Sequence, residues 1–186
     1  METRLPPMEM QAMNEAQRKA AEALIAGPRK AVVGPFIALL RSPELLDRMQ
    51  RVGEYLRFHN AIPQKLVELA ILVTSRHADN AFEWVLHQPL ARKEGVTRET
   101  IDAVNAGRRP ASAPEDELAV FDFAHELLRA SFVSDATYAA VRERFGEQGV
   151  VDLTATIGYF VTVSYVMNVA GTPPPQADAV ALATRP

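Results

Sequence analysis

Leu66-Val67-Glu68-Leu69-Ala70-Ile71-Leu72-Val73, with Pro63 ahead of it and Asn80-Ala81-Phe82-Glu83-Trp84-Val85-Leu86-His87-Gln88-Pro89-Leu90-Ala91 behind it, decides the architecture. The first run is apolar almost all round, which predicts a helix buried on every side at the centre of a helical protein. Asp79 or Asn80 can cap the helix that follows, over about residues 81–94, by accepting a bond from an otherwise unpaired N–H of its first turn. Pro89 removes one backbone donor inside that helix and predicts a kink beside His87.

Working outward, the same periodicity continues in both directions. Residues 10–25 place Met13, Ala16, Ala20 and Leu24 on one face and end at Gly27-Pro28. An apolar stretch over 32–40 leads to Ser42-Pro43-Glu44, where serine can cap a helix running to about Phe58 and proline suits its first turn. Gly95 and Thr97 introduce a short helix closed by Gly107, and residues 108–114 form the best linker. Pro114 opens a helix with Leu118, Phe121, His125 and Leu128 on one face, and Ser134 caps another that Gly146 closes. The last helix, residues 150–170, stops at Gly171 and three prolines, and the tail beyond is expected to be extended, disordered or packed on a neighbouring subunit. No alternating strand pattern, hairpin signal or phosphate-binding glycine loop occurs, so the fold class is all-α in a single domain.

Composition limits the chemistry. The 186 residues are 48% apolar and 23% charged, enough for a core, and contain no cysteine. Disulfides, thiolate metal centres and thiol nucleophiles are excluded. A net charge of −3 without a basic stripe argues against nucleic acid. The N-terminal segment lacks the apolar core of a signal peptide, so the expected location is the cytoplasm. Residues 150–170 are long enough to raise the question of a bilayer span. Asp152, Thr154, Thr156, Thr162, Ser164 and Asn168 within them favour burial in protein, with no membrane partner.

Glu68 is the first candidate for chemistry because it interrupts the most apolar helix, where burial would raise its pKa. The alternative is a half-exposed stripe of Gln64, Lys65, Glu68 and Ser75 with a weak Lys65 pair. Glu83 and His87 are four residues apart, so a carboxylate can orient an imidazole for acid/base work, although such pairs also decorate solvated faces. His59 and His77 sit at helix ends, and His125 on an apolar face reads as a core residue. Neither a metal-ligand motif nor a nucleophile elbow is present, and no cofactor or metal is expected. Tyr159, Tyr165 and Asn168 either line a pocket or bond across a helix interface.

Taken together, the Glu68 run, Asn80-Ala-Phe-Glu83-Trp84-Val-Leu-His87-Gln-Pro-Leu-Ala91 and Gly95-Val96 resemble the carboxymuconolactone decarboxylase family and the related AhpD-like alkylhydroperoxidases. Gly34-Pro35-Phe36, Ser42-Pro43-Glu44-Leu45 and Phe145-Gly146-Glu147 extend the likeness over about residues 30–175. The resemblance implies an AhpD-like helical bundle assembled as a dimer, trimer or hexamer, with a site between the Glu68 and His87 helices. It divides the chain into an N-terminal extension (1–29), the family domain (30–175) and a tail (176–186). In the peroxidase branch a Cys-x-x-Cys pair stands where this chain has Asn80 and Glu83.

The expectation is therefore a cofactor-independent decarboxylase-like lyase acting on a small carboxylated or lactone substrate of aromatic-type catabolism. Glu68, Glu83 and His87 would form its proton relay, and Phe82, Trp84, Asn80 and Tyr159 its pocket. A non-catalytic binding member of the family, or an isomerase, hydratase or hydrolase using the same groups, is the alternative. Peroxide reduction is disfavoured by the missing thiols.

Overall fold

A computed structural model describes residues 2–184, and among these the only regular elements are helices. They are α1 (Glu15–Ala26), α2 (Pro35–Leu39), α3 (Pro43–Phe58), α4 (Gln64–His77), α5 (Ala81–Lys93), α6 (Arg98–Asn105), α7 (Glu115–Ala130) and α8 (Asp135–Ala170). The all-α reading holds. α4 is the axis, packed against α5, α7 and α8. Leu66, Leu69, Ala70, Ile71 and Leu72 have no exposed surface, as an all-round apolar helix requires.

Local chemistry sets the boundaries. The first predicted helix begins later than its periodicity suggested, because Asn14 caps α1 through a reciprocal pair with Gln17 and leaves Met10–Ala12 as a single 3₁₀ turn. Side chains of Asn80, Thr97 and Ser134 cap α5, α6 and α8, each such cap contributing about 1 kcal/mol. Ser42 occupies the cap position of α3 without a side-chain bond. Gly146 has φ +69° and breaks α8 into the two helices expected from sequence. α5 runs through Pro89 as one helix.

α8 is long and apolar enough to cross a bilayer by length and composition, yet half of its most apolar stretch is buried inside the fold. Its polar groups have partners there: Asp152 accepts from Tyr55 and from the Ala61 amide, and Asn168 bridges Asn80 to the Ala78 carbonyl. A second, smaller cluster of Ala21, Leu24, Phe36, Leu40 and Leu46 joins α1 to α2 and α3. The tail is extended and lies on its own chain. Val180 O accepts from Trp84 Nε1 (2.8 Å), Val180 N donates to Gln88 (2.7 Å), and Asn105 bonds Ala181 and Ala183. These bonds tie the tail to α5 and α6.

Candidate active site

α4 and α5 place Glu68, Glu83 and His87 side by side in the interior, each no more than 3% exposed. His87 Nδ1 lies 2.6 Å from Glu68 Oε2 and Nε2 lies 3.1 Å from Glu83 Oε2. Both ring nitrogens thus face carboxylates, a setting that favours the doubly protonated imidazolium. Gln64 Nε2 donates to the other oxygen of Glu68 at 2.9 Å, and the Phe160 ring meets His87 edge-on at 5.4 Å. Because the carboxylates sit on opposite nitrogens of the ring, they do not converge on a single point. Among the described residues no group of three or more His, Cys, Asp or Glu could hold a metal ion.

Burial pushes the His87 pKa down, but the hydrogen bonds and charges of Glu68 and Glu83 outweigh it and hold it above its ordinary 6.5. Burial likewise pushes Glu68 up, and His87, with help from Arg57 and Gln64, brings it below 4.5. The raised His87 value adds stability that is full below 6.5 and is lost as pH climbs through the higher folded value. The lowered Glu68 value adds stability that is present above 4.5 and is lost as pH falls through the lower folded value. The stability gap between wild type and Glu68→Gln, measured by urea unfolding across pH, is therefore expected to be widest between 4.5 and 6.5 and to narrow on both sides.

The Glu68–His87–Glu83 cluster borders a cavity of about 320 Å³ beneath the loop between α1 and α2. Glu83 and His87 form part of its wall, while Glu68 stands behind the imidazole. Phe82 and Tyr159, two of the residues proposed from sequence, line it. Burial pushes the Tyr159 phenol up to about 12, so it stays neutral. Trp84 and Asn80 do not line it, which corrects their place in the expected pocket. Trp84 is fully buried on another face of α5 with its indole bonded to Val180, and Asn80 is occupied by the α5 cap, Ser164 O and Asn168. The Lys65 pair also differs from the expected one, since Lys65 meets Glu117 instead of Glu68.

The structure adds two wall residues that sequence reasoning missed, Arg29 and Arg57. Arg29 follows the Gly27-Pro28 stop of α1, and Arg57 ends α3, where any cation is favoured by the helix dipole. Nothing in one-dimensional spacing links either to a cavity.

The order and geometry of these groups can be set against known proteins. Residues 43–126 match the carboxymuconolactone decarboxylase family. That segment carries α3 to α6 and most of α7, and with them Glu68, Glu83 and His87. No curated protein matches the chain. Among solved structures, an uncharacterized peroxidase-related protein from Ralstonia eutropha JMP134, described as an alkylhydroperoxidase AhpD core, superposes with a TM-score of 0.75 at 22% identity, covering 92% of each chain. An uncharacterized peroxidase-related protein from Silicibacter sp. TM1040 gives 0.72 at 18% identity over 94% of this chain and 93% of its own. A protein of unknown function from Agrobacterium tumefaciens gives 0.66 at 18% identity over 74% and 95%. At these identities the likeness establishes the AhpD-like fold. The matched segment contains no cysteine, nor does the rest of the chain.

Proposed function

We propose that the protein is a cofactor-independent, cytoplasmic lyase of the carboxymuconolactone decarboxylase type that uses Glu68, His87 and Glu83 as a proton relay on a small carboxylated or lactone substrate. The observation that carries this reading is a single imidazole bonded through both nitrogens to buried carboxylates at the wall of a cavity. Glu68 fixes the ring from behind, and its charge keeps a proton on Nδ1. The Nε2 side, shared with Glu83, faces the substrate space.

In a decarboxylation the carbon–carboxylate bond breaks, CO₂ leaves, and the electron pair passes into an adjacent carbonyl system as an enolate. His87 then gives the enolate carbon its Nε2 proton and regains one from solvent by way of Glu83. Phe82, Phe160 and Tyr159 keep the reacting carbon away from bulk water, which strengthens every charge interaction inside. The AhpD-like scaffold also suggests a homo-oligomer, with the segment 30–175 as its repeating domain.

The test is turnover of 4-carboxymuconolactone and related lactones, followed by CO₂ release and by proton incorporation from D₂O. Decarboxylation with deuterium at the product carbon is expected. Binding without any turnover would favour the non-catalytic alternative, and hydroperoxide consumption with a thiol reductant would redirect the assignment altogether.

A further inference from the structure

The cavity wall also carries two cations that lack polar partners among the described residues. Arg29 and Arg57 both line the space that Glu83 and His87 border. Among the described residues neither guanidinium forms a hydrogen bond or an ion pair, although Nε and Nη2 of Arg29 and Nε of Arg57 are buried from solvent. A buried donor without a partner is unfavourable, and three such atoms on one cavity call for an acceptor that enters it. Glu54 and Glu83 act on Arg29 through charge alone, and among the described residues no carboxylate forms an ion pair with it.

The surrounding structure holds these forks in place. Arg29 lies over the Phe36 ring at 4.5 Å and Arg57 over Phe58 at 5.1 Å, contacts that orient a planar guanidinium without using its N–H groups. Gly53 on α3 makes room for Arg29 and Tyr159. A Cβ at that position would overlap the Tyr159 hydroxyl and come within 2.9 Å of Arg29 Nη2.

We infer that Arg29 and Arg57 form an anchor for one carboxylate of a ring-bearing substrate, holding it in the cavity that His87 borders. The inference rests on the acid/base reading for which end of the substrate reacts, but its own content is the anion and where it binds. Charge favours an anion at this wall: Arg29 and Arg57 add two positive charges beside the imidazole that Glu68 and Glu83 flank. Shape favours carboxylate over a tetrahedral anion, because a guanidinium fork matches the planar group bidentately and much of the remaining wall is apolar, with Phe36, Phe82, Phe160 and Val163 among its residues. The anchored carboxylate is one the reaction retains. A guanidinium stabilises the charge that decarboxylation must remove, so a carboxylate held here is protected from loss and the product leaves as an anion.

Benzoate, with benzamide as its uncharged isostere and inorganic phosphate as a tetrahedral anion, tests this by calorimetric titration of the full chain. Benzoate is expected to bind wild type at least 10-fold more tightly than benzamide or phosphate, and to weaken about 10- to 100-fold in Arg29→Gln and in Arg57→Gln. Arg29→Lys and Arg57→Lys, which keep the charge but lose the fork, are expected to fall in between and serve if a glutamine variant does not fold. Benzoate binding that is absent from wild type, matched by benzamide, or unchanged in the arginine variants overturns the anchor. Phosphate binding as tightly as benzoate overturns its carboxylate choice. His87→Gln retains the arginines, so benzoate binding that persists there while no lactone is turned over by wild type would leave the anchor standing and reject the lyase reading.

Discussion

Replacing His87 with alanine is expected to lower kcat for lactone decarboxylation by about 10²- to 10⁴-fold, the range typical of a positioned acid or base. The loss has two sources. The proton carried on Nε2 disappears, and Glu68 and Glu83, which are buried and reach the imidazole at 2.6 and 3.1 Å, are left without the cation that separates them. One of the two then takes up a proton, because like charges in a dry site cannot both remain ionised cheaply. The effect should therefore fall mainly on kcat, with binding of the anionic substrate changed far less. His87→Gln, which preserves volume and can bond at least one carboxylate, separates chemistry from folding. Undiminished turnover in both variants, measured by CO₂ release, would remove His87 from the mechanism.

Lys65→Ala is expected to destabilise the fold by about 3 to 5 kcal/mol, because it strands a buried carboxylate. Glu117 has no exposed side-chain surface; apart from the Lys65 ammonium, its carboxylate accepts a bond from Thr100 Oγ1 at 3.2 Å. The pair joins α4 to α7 across the core. In a chain of this length such a loss lowers Tm by roughly 10 °C. Lys65→Met combined with Glu117→Leu removes both charges and is expected to regain most of it, since apolar replacements of buried pairs are often neutral. Thermal unfolding followed by circular dichroism measures all three proteins, and an unchanged Tm in Lys65→Ala would show that Glu117 is satisfied without its partner.

The two cases show where sequence carries the argument and where it ends. The grouping of Glu68, Glu83 and His87 was legible in part, because Glu83 and His87 share one helix at a spacing of four and the family resemblance set Glu68 beside them, while periodicity alone left Glu68 open to a half-exposed reading. All-α class followed from caps, prolines and glycines that recur as expected at Asn80, Pro63, Thr97, Ser134 and Gly146. Partners supplied by distant segments were not legible. Lys65 could have paired with Glu68 one turn away, and only the packing of α7 gives it Glu117 instead. Trp84 reads as a pocket aromatic until its indole is seen bonded to Val180, 96 residues later. Arg29 and Arg57 look like ordinary helix-end cations, since their meaning comes from a cavity that four non-consecutive segments enclose.

That tail contact also bears on how the protein is made. α5 carries both Glu83 and His87, yet the acceptor for its Trp84 indole and the donor to its Gln88 amide lie at Val180. The ribosome must add 96 residues after Trp84 before that partner exists, a delay of about 5 to 20 s at ordinary elongation rates. The helix that holds the candidate chemistry therefore acquires these hydrogen bonds only after a long further stretch of chain has been made, and until then the Trp84 indole lacks the acceptor that the folded chain gives it.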